Sequence, residues 1–141
     1  MATFSKFNAF VENLAEKVHN LGSDTLKVCL TNTAPTSSNS VFADLTEISA
    51  GNGYSAGGTA ATISSSSQSS GTYKLVLADV VFTASGGTIG PFRYAVLYND
   101  TPTSPADPLI GYWDYGTSVT LADGETFTVD FDASSGVLTL A

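Results

Sequence analysis

The sequence of 141 residues contains few cysteines, few histidines and few basic side chains. A single cysteine, Cys29, excludes an intrachain disulfide and a zinc cage of several thiolates. A single histidine, His19, excludes a histidine-rich metal site. Five Lys and Arg residues stand against 13 Asp and Glu residues, which gives a formal net charge of −8. Because such a chain repels phosphates and anionic lipid surfaces, we expect neither a nucleic-acid partner nor a membrane partner.

Long hydrophobic runs are also missing from the sequence. No apolar run approaches the ~20 residues of a membrane-spanning helix. The N-terminal sequence MATFSKFNAF lacks the apolar core and the cleavage site of a signal peptide. These absences predict a protein made without export, in the cytoplasm. The length fits a single domain over residues 1–141, since two cores would have about 70 residues each, near the lower limit for independent folding.

Apolar residues recur at a helical period through residues 1–22, which predicts one amphipathic helix. Ser5 or Thr3 can cap its first free amides, and Gly22 suits the left-handed residue that ends a helix. His19 lies near the end of this predicted helix, on the side away from the apolar stripe, so we expect it to be solvated. The stripe consists of Phe7, Phe10, Val11, Leu14, Val18 and Leu21.

After Gly22 the sequence changes to short β-prone runs separated by Gly, Ser, Asn and Pro. Residues 25–31 alternate apolar and polar side chains, which predicts a half-buried strand with Cys29 on its polar face. The loop ASSG before the last run predicts a hairpin with Gly136 at positive φ. The pattern predicts a mainly β fold, an antiparallel β-sandwich or jelly roll with one N-terminal helix. The further strand candidates are residues 72–83, 92–98, 109–115, 118–121, 126–132 and 137–140.

Residues 32–71 form a long polar stretch that is interrupted by one apolar piece at residues 41–48. A structureless insert of this length is uncommon inside a compact domain. We therefore expect flexible loops with one or two edge strands. An arm that becomes ordered on a partner is the alternative.

Few residues could carry catalysis. A Ser–His–Asp relay requires a histidine, and His19 is the sole candidate. Cys29 lies beside Lys27, whose ammonium can lower a thiol pKa, but a lone small thiol within a strand favours packing. The segment GNGYSAGG lacks the lysine of a phosphate-binding loop. We therefore expect no catalytic residue, no cofactor and no metal ligand.

Asp130 and Asp132 are the one pair of carboxylates whose spacing suggests chemistry. Both side chains are expected on one face of a strand, at roughly 7 Å from each other. Such a pair can act as acid and base in glycoside cleavage. Phe127, Val129 and Phe131 fill the opposite face, and this alternation is also the ordinary pattern of a sheet with an acidic outer face. The ordinary sheet pattern is the favoured interpretation.

Aromatic residues exceed what a single sandwich core needs. They crowd two strand candidates, residues 92–98 and 109–115, which are apolar on both faces and must be covered on both. Part of this surplus is expected to face a helix, a loop or another chain. Tyrosine and tryptophan are enriched in interface anchors and also line sugar-binding platforms, so both alternatives remain open. The candidate interface residues are Tyr94, Tyr98, Tyr112, Trp113 and Tyr115.

Several longer runs of the sequence resemble a family of small structural proteins of tailed bacteriophages. The resemblance covers most of residues 10–141 and includes no catalytic motif. The runs are KVHNLGSDTLKV (17–28), LTNTAP (30–35), ADLTEI (43–48), GNGYSAGG (51–58), GPFRYAVLYND (90–100), PLIGYWDYG (108–116) and FTVDFDASSGVLTL (127–140).

The resemblance implies a non-enzymatic virion protein, similar to the capsid decoration, or cement, proteins. Such proteins lie on the head as trimers and clamp neighbouring subunits, which implies the major capsid protein as partner and a homo-oligomer on the capsid surface. A tail or fibre protein is an alternative within the same class. A carbohydrate-binding module or small glycosidase is an alternative from a different class.

Because seven of the 13 acidic residues follow Arg93, the last basic residue, we expect the second half to include the outward face and the aromatic strands to make the buried contacts.

Overall fold

The computed structural model describes residues 2–141, and strands dominate it. All strand pairs are antiparallel, and one short helix lies near the N-terminus. The prediction of a mainly β, sandwich-like fold with one N-terminal helix is therefore confirmed. The elements are β1 (Ser5–Lys6), α1 (Asn8–Ala15), β2 (Leu26–Thr31), a 3-10 turn (Phe42–Asp44), β3 (Thr59–Ala61), β4 (Ile63–Ser69), β5 (Thr72–Leu77), β6 (Val80–Thr83), β7 (Ile89–Asn99), β8 (Leu109–Leu121), β9 (Thr126–Val129) and β10 (Leu138–Leu140).

Three sheets build the domain. The largest has the strand order β1-β8-β7-β2-β3, and the smaller ones have the orders β10-β5-β4 and β6-β9. The long β7 and β8 form the centre of the large sheet, with Ala95 opposite Trp113 and Val96 opposite Tyr112. Because successive side chains of a strand point to opposite faces, this register sends neighbouring aromatic residues of β8 to different environments.

The main core lies between one face of the large sheet and the two smaller sheets. Leu26, Val28 and Leu30 of β2 contact the same apolar cluster as Leu75 of β5 and Phe82 of β6. Each of these side chains is almost fully buried. Removing such side chains from water stabilises a fold by roughly 1.5–3 kcal/mol each. This cluster explains why the small sheets pack onto the large one.

The opposite face of the large sheet is also covered, by the chain itself. We call this face the closed face: Cys29, Val96, Tyr98, Leu109 and Tyr112, covered by Phe7, Phe42 and Leu45. The predicted strand is present as β2, but the prediction that it is half-buried is wrong, because both of its faces are covered. Cys29 is 0 % exposed because the segment around the 3-10 turn and the residue before α1 cover its side.

The N-terminal helix is shorter than the periodicity predicts. Only Asn8–Ala15 is helical, and Lys17 has φ 71. The chain then turns at Asn20, which exchanges hydrogen bonds with Asp24, and such local bonds compete with helix continuation. Ser5 does not cap the helix, because it pairs with Tyr112 in β1.

The segmentation of the strands differs from the prediction at three places. Residues 72–83 form two strands in different sheets, because the chain turns at Asp79, whose carboxylate accepts a 2.9 Å hydrogen bond from the Phe131 amide. Residues 109–115 and 118–121 belong to one continuous strand, β8. The predicted hairpin between the last two strands is wrong, since β9 pairs with β6 and β10 with β5. Gly136 nevertheless has the predicted positive φ of 78.

The polar residues 32–71 include two edge strands, β3 and β4, each at the end of its sheet. Phe42 packs on Tyr98 with ring centroids 4.8 Å apart. The Glu47 carboxylate accepts hydrogen bonds from the Tyr54 hydroxyl at 2.6 Å and the Gly57 amide at 2.7 Å. Residues 42–57 therefore lie against the chain's own sheet. Among residues 2–141, the structure has no helix long and apolar enough to cross a membrane.

Candidate functional site

An open groove with a volume of about 470 Å³ lies beside β8 and β9. Its lining combines residues from the N-terminus, from the middle of β8, and from β9 with the loop that follows it. Aromatic and aliphatic side chains dominate this lining, and two carboxylates belong to it. We call it the aromatic groove: Phe4, Trp113, Tyr115, Phe127, Phe131 and Val137, with Asp130 and Asp132.

The strand period explains how β8 contributes to the groove. Trp113 and Tyr115 are two positions apart, so their side chains lie on one face of the strand, opposite to the face of Tyr112 and Asp114. The Trp113 ring contacts Phe4 at 5.3 Å and Phe131 at 5.6 Å between centroids. Both separations lie in the range of favourable aromatic pairs. Trp113 is therefore held in place by aromatic neighbours from two distant parts of the chain.

Gly111 makes room for the N-terminal wall of the groove. A Cβ atom at Gly111 would lie 2.1 Å from the Phe4 ring, well inside van der Waals contact. Gly111 also pairs with Lys6 in the β1–β8 ladder, so the segment before α1 is fixed alongside β8. The missing side chain lets the Phe4 ring lie directly on β8, where it meets Trp113.

The Tyr115 ring forms the most exposed part of the aromatic lining. Tyr115 is 55 % exposed, although its ring meets Phe127 edge-on at 5.3 Å. Phe127 in turn contacts the buried Phe92 at 4.9 Å, which anchors this wall to the main core. The groove therefore has a floor packed against the main core and one large aromatic surface that is open to solvent.

The two carboxylates of the groove have different surroundings. Asp132 accepts hydrogen bonds from the amides and hydroxyls of Ser134 and Ser135, at 2.7–3.1 Å. These bonds, led by those from Ser135, hold the pKa of Asp132 well below its usual range. Asp130 is exposed, and its side chain has no hydrogen bond or ion pair within residues 2–141. Asp130 is therefore available to a ligand, whereas the Asp132 carboxylate already accepts hydrogen bonds from Ser134 and Ser135 in the turn that follows it.

This arrangement bears on the predicted pair of catalytic carboxylates. β9 ends at Val129, so Asp130 and Asp132 do not lie on one face of a strand as predicted, although both line the groove. A glycosidase requires a general acid whose pKa is raised. The hydrogen bonds to Asp132 act in the opposite direction. Asp132 is therefore unsuited to the role of that general acid.

The remaining predicted interface residues lie outside the groove. Tyr98 is 2 % exposed and donates a hydrogen bond from its hydroxyl to the Gly57 carbonyl. Tyr112 packs on Phe7 at 5.2 Å, on the closed face. Tyr94 is half-buried, with the Arg93 guanidinium 5.4 Å from its ring centroid.

His19 is buried, so the prediction of a solvated histidine is wrong. It is 5 % exposed, and its ring lies 5.2 Å from that of Phe10. The Asn99 amide nitrogen is 3.1 Å from His19 Nδ1 and also donates to Asp24, while the Asn99 oxygen accepts from the Thr101 amide. Nδ1 is therefore the acceptor, and Nε2 carries the proton of the neutral ring. Nε2 is buried without a partner in residues 2–141.

Burial fixes the protonation of His19 and of Cys29. Burial, partly offset by Asp24, lowers the pKa of His19 to about 4. Burial, together with Glu47, raises the pKa of the Cys29 thiol well above its usual range. Cys29 is 0 % exposed in an apolar cluster, which confirms packing as its role.

Three aromatic residues of the groove are absent from the residues predicted as interface candidates. The alternation of residues 126–132 predicts that Phe127 and Phe131 lie on the same side of a strand, which is an ordinary pattern for a sheet. Phe4 has no local pattern that indicates its position, because only the β1–β8 pairing brings it to Trp113.

Comparison with protein-family models, with curated proteins and with solved structures finds no match to this chain. The fold and the groove therefore define the class of protein by themselves. It is a mainly β, sandwich-like domain whose long central strand places aromatic residues in a groove open to solvent.

Proposed function

We propose that this chain is a non-enzymatic structural protein of a tailed-phage virion, and specifically a capsid decoration protein that binds the major capsid protein on the head surface. The observation that carries the proposal is the aromatic groove. Tyrosine, tryptophan and phenylalanine are enriched in protein interfaces, and exposed apolar patches on a small protein mark contact sites. The resemblance of the sequence to small phage structural proteins indicates that the contact is made on a phage particle.

The physical contribution of a clamp is additional buried area across the joints between capsid subunits. Specific interfaces bury roughly 1,200–2,000 Å² in total, and a few aromatic anchors dominate their energetics. The groove offers such anchors in Trp113 and Tyr115. Repetition over the symmetry-related sites of a head multiplies a modest affinity at each site.

The distribution of charge also supports a surface role. A net charge of −8 keeps the protein off nucleic acid and limits the association of particles. The expected division between an acidic outward face and aromatic contact strands is not seen at the groove. Asp130 and Asp132 line it together with Trp113 and Tyr115. The contact surface of the proposal is therefore both aromatic and acidic.

The test is binding of purified protein to phage heads from which this protein has been removed. Wild type should bind, and Tyr115→Ser should bind at least about tenfold more weakly, as expected for an interface anchor. Val11→Ser is the matched control, because Val11 is 54 % exposed on α1, away from the groove lining. Binding to tails rather than heads would support the tail or fibre alternative and contradict the decoration role.

The proposal includes a homo-oligomer, a trimer, as the resemblance implies. The mass of the purified protein in solution, and of the protein bound on heads, should be about three times that of the 14.5 kDa chain. A monomer in both settings would contradict this part of the proposal.

A carbohydrate-binding module is the second candidate, and one observation favours it. Trp113, Tyr115 and the available Asp130 lie in one groove, where ring stacking and a carboxylate could hold a sugar. Trp113 is already in contact with Phe4 and Phe131, so Tyr115 offers the larger exposed ring. A glycan array with wild type and Trp113→Ala decides between the two. Loss of a strong glycan signal in the variant would support this candidate, and an array with no binding would remove it.

A further inference from the structure

We propose that the aromatic groove binds an extended segment of a partner protein that carries an apolar side chain next to a Lys or Arg side chain. This inference rests on the proposed structural function and adds the chemistry of the partner segment. Three features of the groove support it: its aromatic floor, its available carboxylate and the strand edges that border it. Each feature selects a different property of the occupant.

The aromatic floor selects an apolar side chain. Tyr115 and Trp113 form a surface whose neighbours Phe4, Phe127 and Phe131 are all apolar. Trp113 is held on two sides by other rings, so the floor does not need to reorganise when a ligand arrives. A preorganised apolar floor lowers the entropic cost of binding, which favours one inserted aliphatic or aromatic side chain.

The carboxylates select a cation. Asp130 is exposed and unpaired within residues 2–141, and Asp132 keeps its charge because Ser134 and Ser135 bond to it. Lys74 of β5 reaches this loop, and its ammonium donates to the Ser134 carbonyl at 2.7 Å rather than to Asp130. A Lys or Arg of the partner would complete an ion pair that the chain itself leaves open.

The strand edges select an extended segment. Among residues 2–141, β9 pairs with β6 alone, and β10 lies at the end of its three-stranded sheet. The residues Thr128 and Val129 of β9 and Val137 before β10 line the groove. An unpaired strand edge presents N–H and C=O groups that a segment of another chain can bind.

A second copy of this chain fits the groove less well than a basic partner. Each copy carries a net charge of −8. Of its five basic residues, Lys27 and Arg93 are already paired with Asp100 and Asp114. Contact between two acidic copies at an acidic groove would be repulsive, whereas a cationic segment would be attracted.

Trp113 provides a direct probe, because it is the only tryptophan of the chain. The experiment titrates the protein with a synthetic peptide that alternates Lys with Val and Phe, and follows the Trp113 emission. An otherwise identical peptide with Glu in place of Lys is the charge control, and one with Ser in place of Val and Phe is the apolar control. The first peptide should change the emission at concentrations at least about tenfold lower than either control.

Asp130→Asn separates the specific ion pair from general attraction between opposite charges. Glu16→Gln is the matched control, because Glu16 is also exposed and both substitutions change the net charge equally. Asp130→Asn should weaken peptide binding about threefold or more, and Glu16→Gln should leave it unchanged. Equal weakening by both variants, or no effect of the Lys peptide on the emission, would overturn the inference.

Two further outcomes keep the inference apart from the function on which it rests. If wild type binds heads but the Lys peptide leaves the emission unchanged, the partner chemistry is wrong and the decoration role stands. If the peptide binds to the protein but the protein does not bind to heads, the decoration role is wrong and the groove chemistry stands. A neutral oligosaccharide that changes the Trp113 emission where the peptide does not would overturn the inference in favour of a sugar site.

Discussion

The closed face and the aromatic groove are both rich in aromatic residues, but only one of them is covered by the chain. Tyr112 and Trp113 are adjacent in β8, and they point into these two different surroundings. The closed face is covered by the segment around the 3-10 turn and by Phe7. The groove has no such cover among residues 2–141, and Tyr115 remains 55 % exposed. The difference separates aromatic residues that maintain the fold from aromatic residues that are available to a partner.

The largest effect is expected when the cover of the closed face is damaged. Phe7 is 0 % exposed and lies against Tyr112. Phe7→Ala should lower the free energy of unfolding by about 3–5 kcal/mol, because it removes buried apolar area and leaves a cavity. Chemical denaturation measures the change, and Phe7→Leu should cost much less. A loss below about 1 kcal/mol for Phe7→Ala would show that the closed face does not hold the fold together.

The second effect is a loss of stability in acid, which arises at the end of β7, on the side of the main core. His19 has a pKa of about 4 in the folded protein, against an ordinary value of 6.5. The unfolded chain therefore binds more protons between these values, so stability is complete above about pH 6.5 and falls as the pH approaches about 4. The loss should be on the order of 3 kcal/mol.

Denaturation at several pH values, with wild type and His19→Gln, checks this expectation. The variant should show a flatter dependence over the same range, because glutamine does not titrate. Asp132, whose pKa lies below its usual range, stays ionised over this range, so its charge should persist where the fold weakens. Identical slopes for wild type and variant would show that another group causes the acid loss.

A smaller loss of stability is expected when the hydrogen bonds that hold residues 42–57 against the large sheet are removed. Glu47 accepts bonds from the Tyr54 hydroxyl and the Gly57 amide, and Gly57 in turn accepts from Tyr98. Glu47→Ala should lower the free energy of unfolding by about 1–2 kcal/mol, because two donors lose their acceptor. Glu47→Gln keeps one acceptor oxygen and should lose less. Faster amide hydrogen exchange at Gly57 in the alanine variant would locate the effect.

The smallest effect on stability is expected in the groove itself. Tyr115→Ser should change the free energy of unfolding by less than about 1 kcal/mol, because more than half of the side chain is already in water. The same variant should lose most of the binding to heads. A destabilisation as large as that of Phe7→Ala would remove the distinction between the two aromatic regions.

The sequence predicts the parts of this comparison that depend on local periodicity. Alternation along residues 109–115 already separates Tyr112 from Trp113 and Tyr115, and it identifies β7 and β8 as strands apolar on both faces. The same pattern leads to the expectation that a helix, a loop or another chain covers the surplus aromatic residues. On the closed face, the cover is the 3-10 segment of the chain's own loop.

The remaining features depend on contacts between residues far apart in the sequence. His19 is buried because Asn99, at the end of β7, reaches its ring, and no local pattern contains this contact. The last two strands pair with β6 and β5, which lie far upstream in the sequence, rather than with each other. Phe4 becomes a neighbour of Trp113 through the β1–β8 pairing, and Phe131 reaches Trp113 where the chain leaves β9 and its amide bonds to Asp79. Helical periodicity alone likewise does not show that the chain turns at Asn20.

The most direct test of the central claim is a reconstruction by electron cryomicroscopy of the phage particle that contains this chain. The account predicts density of another virion protein in the aromatic groove, in contact with Tyr115 and Trp113, with a basic side chain near Asp130. The closed face should show only the chain's own residues over Tyr98 and Cys29. A particle in which the groove faces solvent and the protein is held through another surface would contradict the account.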